Sequence, residues 1–251
     1  MTELEGGGFK LGTGSSSEIS FFLDVDEDNF SSIYVKRQLK RSDTVQDCIL
    51  FNENENWYGG PEQMDQRYPV QKFEFTDYAY ITKELHSAAI MERYWFSTST
   101  FFILIDYETP LFIDQNAEKI CFTAKKQLPY DTHADKFTFN YRIGGGKSVK
   151  EMHVNVINRY LGKPSGLPDL RLIKYPIWNT WVNYGRQINE SLVADYAQNI
   201  IDNEFGHSLL DIDDFWEECY GSLEVNKTNF GNLKQLTTKL KNDGFIVGMW
   251  T

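Results

Sequence analysis

The stretch HSLLDIDDFWEECYGSL, residues 207–223, decides how this chain is read. It opens on a short apolar run, Leu209, Leu210 and Ile212. It closes on acids and aromatics: Asp211, Asp213, Asp214, Trp216, Glu217 and Glu218. Apolar residues giving way to carboxylates describe a buried strand that delivers its last side chains into a cleft. On a parallel strand of an α/β barrel, that C-terminal rim is where ligands are met. An Asp-Asp pair followed by an indole suits a sugar, because carboxylates accept from ring hydroxyls and an indole packs on the C–H face. A rim loop of merely solvated acids is the other reading of the same residues.

Around this strand the pattern alternates. PIWNTWV (176–182) is strand-like. A helix is expected from Asn189 as N-cap, with Ile188 and Val193 placed for a hydrophobic staple and Leu192, Val193, Tyr196, Ala197 and Ile200 as its stripe. A second helix carries Leu233, Leu236 and Leu240 and stops at Gly244; FIVGMWT then gives a third strand. This β-α-β-α-β run starts a parallel sheet. No GxGxxG follows the first strand, which favours a barrel over a dinucleotide fold.

Upstream, GKPSGLPDLRLIKYP (162–176) crowds three prolines and two glycines, so a linker is set at 162–175. Before it, SVKEMHVNVINRYL (148–161) reads as a helix through Val149, Met152, Val156 and Tyr160, ending at Gly162; its His153 is read as structural or solvated. Residues 15–143 read as β structure. EISFFLDVD (18–26) is expected to set Ile19, Phe21, Leu23 and Val25 on one face, and KFTFNYRI (136–143) does so with Phe137, Phe139, Tyr141 and Ile143. Strand-like runs also stand at 32–39, 47–51, 72–75, 89–99, 100–108 and 119–125. The expected architecture is a multidomain α+β chain: an antiparallel β-sandwich with a late helix at 1–161, the linker, and at 176–251 the first β-α-β-α-β portion of a (β/α)8 barrel.

Two features between the strands draw notice. In NENENWYGGPEQMDQRYP (52–69), the Gly59-Gly60-Pro61 bend reads first as a sandwich loop with buried aromatics and second as a loop reaching a neighbouring cleft. Gly144-Gly145-Gly146-Lys147-Ser148 mimics a phosphate loop, but Tyr141 stands where the Walker pattern needs glycine, so a flexible joint is expected.

The bulk numbers exclude several classes. A net charge of −11 argues against nucleic acid and against an anionic membrane surface. No apolar run approaches the roughly 20 residues of a membrane span, and MTELEGGGFKLGTG carries no visible signal peptide. Cys48, Cys121 and Cys219 form no CxxC; they give no metal signature and allow at most one disulfide. No cofactor is expected. Sequons stand at Asn29, Asn189 and Asn226.

The runs KPSGLPD, IWNTW, LLDIDDFWEECYGSLEVN and GFIVGMWT resemble family 31 glycoside hydrolases, in a branch of uncharacterised glucosidases. WYGGPEQMDQRYP and ERYWFSTSTFFILIDYETPLFI resemble that branch's N-terminal sandwich. Gly231 departs from the proline usual before the second helix. The resemblance implies a sandwich followed by a (β/α)8 barrel, an O-glycosyl hydrolase acting with retention in carbohydrate metabolism, and an α-glycoside as partner. It matches Asp213 to the second aspartate of the family's Asp-Ile-Asp, a sugar ligand. Asp214 replaces a common tyrosine and is similar to the Asp-Asp-x-Trp of α-galactosidases, implying α-galactoside over α-glucoside. Trp216, Trp178, Trp181 and Trp250 are implied at the sugar pocket, or else in the core, and Trp57 and Tyr58 near the barrel mouth. The family's nucleophile ends the fourth barrel strand and its acid/base follows, so no catalytic residue is expected here. The chain is expected to be the front part of a glycosidase, inactive as it stands. The alternative is a non-catalytic product or pseudoenzyme that binds glycan or protein. The family and the sequons together imply the secretory pathway.

Overall fold

The structure, a computed structural model, describes residues 2–4, 8–13, 17–83 and 87–251. Part of the opening stretch read above for a signal peptide lies outside the described residues. The chain divides into two compact units, Met1–Lys163 and Pro164–Thr251.

The first unit holds β1 (Thr2–Leu4), β2 (Gly8–Thr13), β3 (Ser17–Glu27), β4 (Phe30–Lys40), β5 (Thr44–Leu50), β6 (Trp57–Gln63), β7 (Phe75–Ala79), β8 (Ser87–Ser97), β9 (Phe101–Ile105), β10 (Leu111–Gln115), β11 (Lys119–Lys125), β12 (Lys136–Thr138) and β13 (Tyr141–Gly146). Among the described residues one sheet runs β1-β2-β3-β4-β13-β9-β8-β6, with β12 also on β4. The second runs β5-β11-β10-β7. Their pairings are antiparallel.

Period-2 alternation explains the layers. On β9, Phe101, Ile103 and Ile105 face the core between the sheets, where they meet Trp95, Ile113, Ile120 and Phe122. Phe102 and Leu104 face the opposite way, into a second core with Phe30, Tyr94, Met152 and Val156. Met152 and Val156 come from α1 (Val149–Val156), which covers the outer face of the larger sheet. Ser148 caps α1 by accepting from the Glu151 amide. A strand buried on both faces reads as an unbroken apolar run, as FFILI does. Each such large side chain contributes roughly 1.5–3 kcal/mol by leaving water.

Four sequence expectations are corrected here. Val25 does not join Ile19 and Phe21: a register shift between Leu23 and Val25 turns it toward the second core and leaves Leu23 60% exposed. The GGP segment is not loop but β6, paired with β8 through two register shifts that absorb the bend. The triple glycine is no joint; it ends β13 between β4 and β9. A Cβ on Gly144 would stand 2.2 Å from the Ser31 carbonyl oxygen and 2.8 Å from Phe102, so only glycine admits the neighbouring strands so closely. Finally, the run at 72–75 gives a 3-10 turn, Val70–Lys72, before β7.

The second unit opens on a four-residue helix, α2 (Arg171–Lys174), inside the expected linker. Then come β14 (Trp178–Asn179), α3 (Trp181–Tyr184), α4 (Glu190–Asp202), β15 (Leu209–Ile212), α5 (Leu233–Asn242) and β16 (Ile246–Met249). The sheet order is β14-β15-β16, all parallel. PIWNTWV is thus shorter as a strand than expected, because Thr180 turns the chain into α3. Asn189 caps α4 by accepting from the Leu192 amide, and Ile188 and Val193 are both buried. Gly244, at φ +97°, ends α5. Leu210 and Ile212 of β15 are fully buried with Val193, Ala197, Leu236 and Leu240 of the two helices.

Candidate functional site

The C-terminal ends of β14 and β15 assemble a polar cluster. Asn179 ends β14 opposite Asp211. Its Nδ2 donates to Asp211 Oδ2 at 2.9 Å and to Asp213 Oδ2 at 2.7 Å. The Asp213 amide donates to Thr180 Oγ1 at 2.9 Å, and the Asp214 amide to Asp213 Oδ1 at 2.8 Å. Both Asp213 oxygens therefore already accept protein hydrogen bonds.

Asp214 is held differently. Its Oδ2 accepts from Arg186 Nε at 3.0 Å and from the Tyr220 hydroxyl at 2.9 Å. Its Oδ1 is buried and has no hydrogen-bond partner. The residue is 5% exposed, and an unsatisfied buried acceptor costs about 1–3 kcal/mol. Arg186 and Tyr220 fix the carboxylate's orientation through Oδ2, while Oδ1 is enclosed and without a protein donor. The hydrogen bond and charge of Asp214 raise Arg186 above the usual guanidinium value. Desolvation, then Asp214, raises the Tyr220 phenol.

The remaining acids are committed. Glu217 is buried and accepts from the amides of Gly221 (3.3 Å) and Leu223 (3.0 Å), while Glu218 accepts from the Lys227 amide at 3.3 Å. These bonds and a Glu217–Val225 bridge fold residues after β15 into a compact loop. Among the described residues no three His, Cys, Asp or Glu side chains converge as metal ligands would.

The tryptophans divide. Trp216 is buried and donates from Nε1 to the Trp250 carbonyl at 2.7 Å, tying the acidic loop to the end of β16. Trp250 is 44% exposed and meets Tyr220 edge-on at 6.0 Å. Trp181 is 47% exposed on α3, its amide donating to Asn179 Oδ1. Trp178 packs instead against Tyr196 and Phe205 and donates to the Gly206 carbonyl, a place in the second unit's core. Trp57 is likewise core. It is 1% exposed between Phe51 and Phe101 in the sandwich, so it presents no face to a sugar. Asn179, Arg186 and Tyr220 were not anticipated. A polar residue at the C-terminal end of the first parallel strand was the available sign for Asn179; Arg186 and Tyr220 lie in irregular segments without periodicity.

Burial holds the Asp211 carboxyl above the ordinary carboxylate range, the Asn179 hydrogen bond opposes this, and the Asp213 charge adds to it. Its ionisation is therefore less favourable folded than unfolded. The resulting destabilisation is present above the folded value and vanishes below the unfolded value of about 3.9. Asp211→Asn should raise the melting temperature at neutral pH, and the two proteins should converge in acid. Thermal melts across pH check this.

No protein-family model matches the chain. It is 28% identical over 207 residues to the myogenesis-regulating glycosidase of Mus musculus, covering 78% of this chain and 29% of that protein. Its fold is similar to that of a Flavobacterium johnsoniae GH31 dextranase complexed with glucose, with TM-score 0.60 and 13% identity over 96% of this chain and 30% of that one. A GH31 sulfoquinovosidase from E. rectale, complexed with an aza-sugar inhibitor, gives TM-score 0.61 and 12% identity over 96% of this chain and 37% of that one. The chain thus spans about a third of the length of these relatives. The resemblance to family 31 glycoside hydrolases holds in sequence through the mouse protein and in fold through the solved structures.

Proposed function

We propose that this chain is the front portion of a retaining glycosidase of family 31 type that acts on O-glycosyl bonds and favours α-galactosides over α-glucosides. In this reading the second unit opens a (β/α)8 barrel, and the ends of β14 and β15 form part of its sugar subsite. The observation that carries it is Asp214 Oδ1, a buried oriented acceptor with no protein donor. A ring hydroxyl supplies the missing donor. The neighbouring Asp213 carboxylate has lone pairs left for a second hydroxyl, as O4 and O6 of galactose would require. The half-exposed Trp250 and Tyr220 rings offer apolar faces beside it. The sugars bound by the solved relatives support carbohydrate as the partner class.

The Cys48–Cys121 disulfide supports an oxidising compartment, in keeping with a secretory location.

Hydrolysis with retention needs two carboxyl groups about 5–5.5 Å apart across the scissile bond, one nucleophile and one acid/base. Asp213, Glu217 and Glu218 are engaged by protein donors, and Asp211 and Asp213 share the Asn179 amide on one side of the cluster. This weighs against bond cleavage by these residues. Residues 1–251 should leave aryl α-galactosides and α-glucosides unhydrolysed; turnover above a buffer blank that Asp213→Ala abolishes would contradict this. The same observation favours, as a second reading, a chain that binds glycan without cleaving it.

A further inference from the structure

The chain has 36 acidic and 25 basic residues, so an average surface is acidic. A cavity of about 1080 Å³ in the first unit reverses this balance. It lies between the β4–β5 turn and the segment joining β11 to β12, and Lys40, Arg41, Lys126 and Lys136 line it with Asp135 as the one lining carboxylate.

We propose that this cleft binds a ligand carrying two or more sulfate or phosphate groups. The register of the sheet supports this directly. Lys40 and Lys136 are opposite one another in the β4–β12 pairing, which puts two like charges on one side of the ladder. Such a pair is unfavourable unless an anion joins it. The nearby carboxylates serve only one of the four cations, Lys126. Asp43 accepts from the Lys40 amide and closes the turn. Asp131 accepts from the His133 amide and stands 3.9 Å from Lys126 Nζ. Among the described residues no carboxylate pairs with the side chains of Lys40, Arg41 or Lys136.

The walls are fixed before any ligand arrives. The Arg41 amide donates to the Asp135 carbonyl at 2.8 Å, holding the turn to the opposite wall. The Lys126 side chain is only 8% exposed, so its ammonium is positioned and not free to sweep. A second cavity of about 410 Å³ shares Lys126 and Lys136 but adds the carboxylates of Glu108 and Asp131, so the excess of positive charge is confined to the first cavity. Four cations against one carboxylate around the first cavity suit a ligand with several anionic groups over a single small ion.

The test measures binding of tripolyphosphate and of a heparin-derived hexasaccharide to the full chain at low salt, by calorimetry. Lys40→Glu/Lys136→Glu is compared with Lys234→Glu/Lys241→Glu, which changes net charge equally on α5. Lys40→Gln/Lys136→Gln repeats the comparison without charge reversal. The site variants should bind about tenfold more weakly, with the α5 variant close to wild type. Without ligand, the Gln variant should melt higher than wild type, because the like-charge pair is gone. Binding of the hexasaccharide alone identifies sulfated glycan, and binding of tripolyphosphate alone identifies phosphate. Equal weakening in both variant pairs, or no binding of either ligand by wild type, overturns the proposal.

Discussion

Asp214→Ala is expected to weaken binding of methyl α-galactoside by about tenfold to a hundredfold while the fold persists. The carboxylate's Oδ1 is the one rim acceptor that is both buried and unpartnered. A hydrogen bond to a charged group contributes about 1.5–3 kcal/mol, and each 1.4 kcal/mol is a factor of ten. Arg186 carries little of the fold, since its side chain is 61% exposed and returns to water when Asp214 is lost. The Tyr220 hydroxyl is similarly accessible. Removing Asp214 should therefore cost little stability, and relief of the orphan acceptor offsets part of the loss. Arg186→Ala should weaken sugar binding less, because Tyr220 still orients the carboxylate. Calorimetry with thermal melts separates the two effects; equal affinity of the wild-type and Asp214→Ala chains would remove Asp214 from the site.

The second large effect concerns the sandwich. Cys48 on β5 and Cys121 on β11 are directly opposite and joined by a disulfide, 73 residues apart in sequence. Closing a loop of that size in the unfolded chain corresponds to about 2–5 kcal/mol of stability. Among the described residues β5 is an edge strand paired through β11 alone, so the cross-link also holds it in register. Cys48→Ala/Cys121→Ala should lower stability by about that amount in denaturant titrations and raise hydrogen exchange along β5 first. Cys219 is a free, exposed thiol, and Cys219→Ala should change neither quantity. Unchanged stability of the double variant under oxidising conditions would contradict the account.

Strands with a single strong periodicity were legible in the sequence. KFTFNYRI alternates Phe137, Phe139, Tyr141 and Ile143 into the core, although the strand breaks there between β12 and β13, and Asn189, Ile188 and Gly244 announce helix ends by chemistry that acts locally. What failed was non-local. Gly59-Gly60-Pro61 signals a turn in isolation, but pairing with β8 overrides it and turns the bend into bulges. Gly144–Gly146 looks flexible until Ser31 and Phe102 are seen to need the missing side chains. Strand β10, LFIDQ, is short and buried on both faces, so no alternation announces it. At the rim, Asp213 and Asp214 were visible because apolar residues give way to acids within one strand. The partners that orient Asp214 were not, since Arg186 lies 28 residues away in an irregular segment and Tyr220 in the loop that follows. Trp57 and Trp178 show the limit of residue type: an indole suits a sugar and a core equally, and burial decides.

The most direct test of the central claim, that the rim of the second unit holds a sugar, is a backbone-amide NMR titration of the full chain with methyl α-galactoside and, separately, methyl α-glucoside. Saturable shifts are expected at Asp214, Phe215 and Tyr220 and at the Trp216 indole, larger and at lower concentration for the galactoside, with the sandwich core around Trp57 unmoved. No shift at these positions with either sugar, or saturable shifts confined to the sandwich, would contradict that claim.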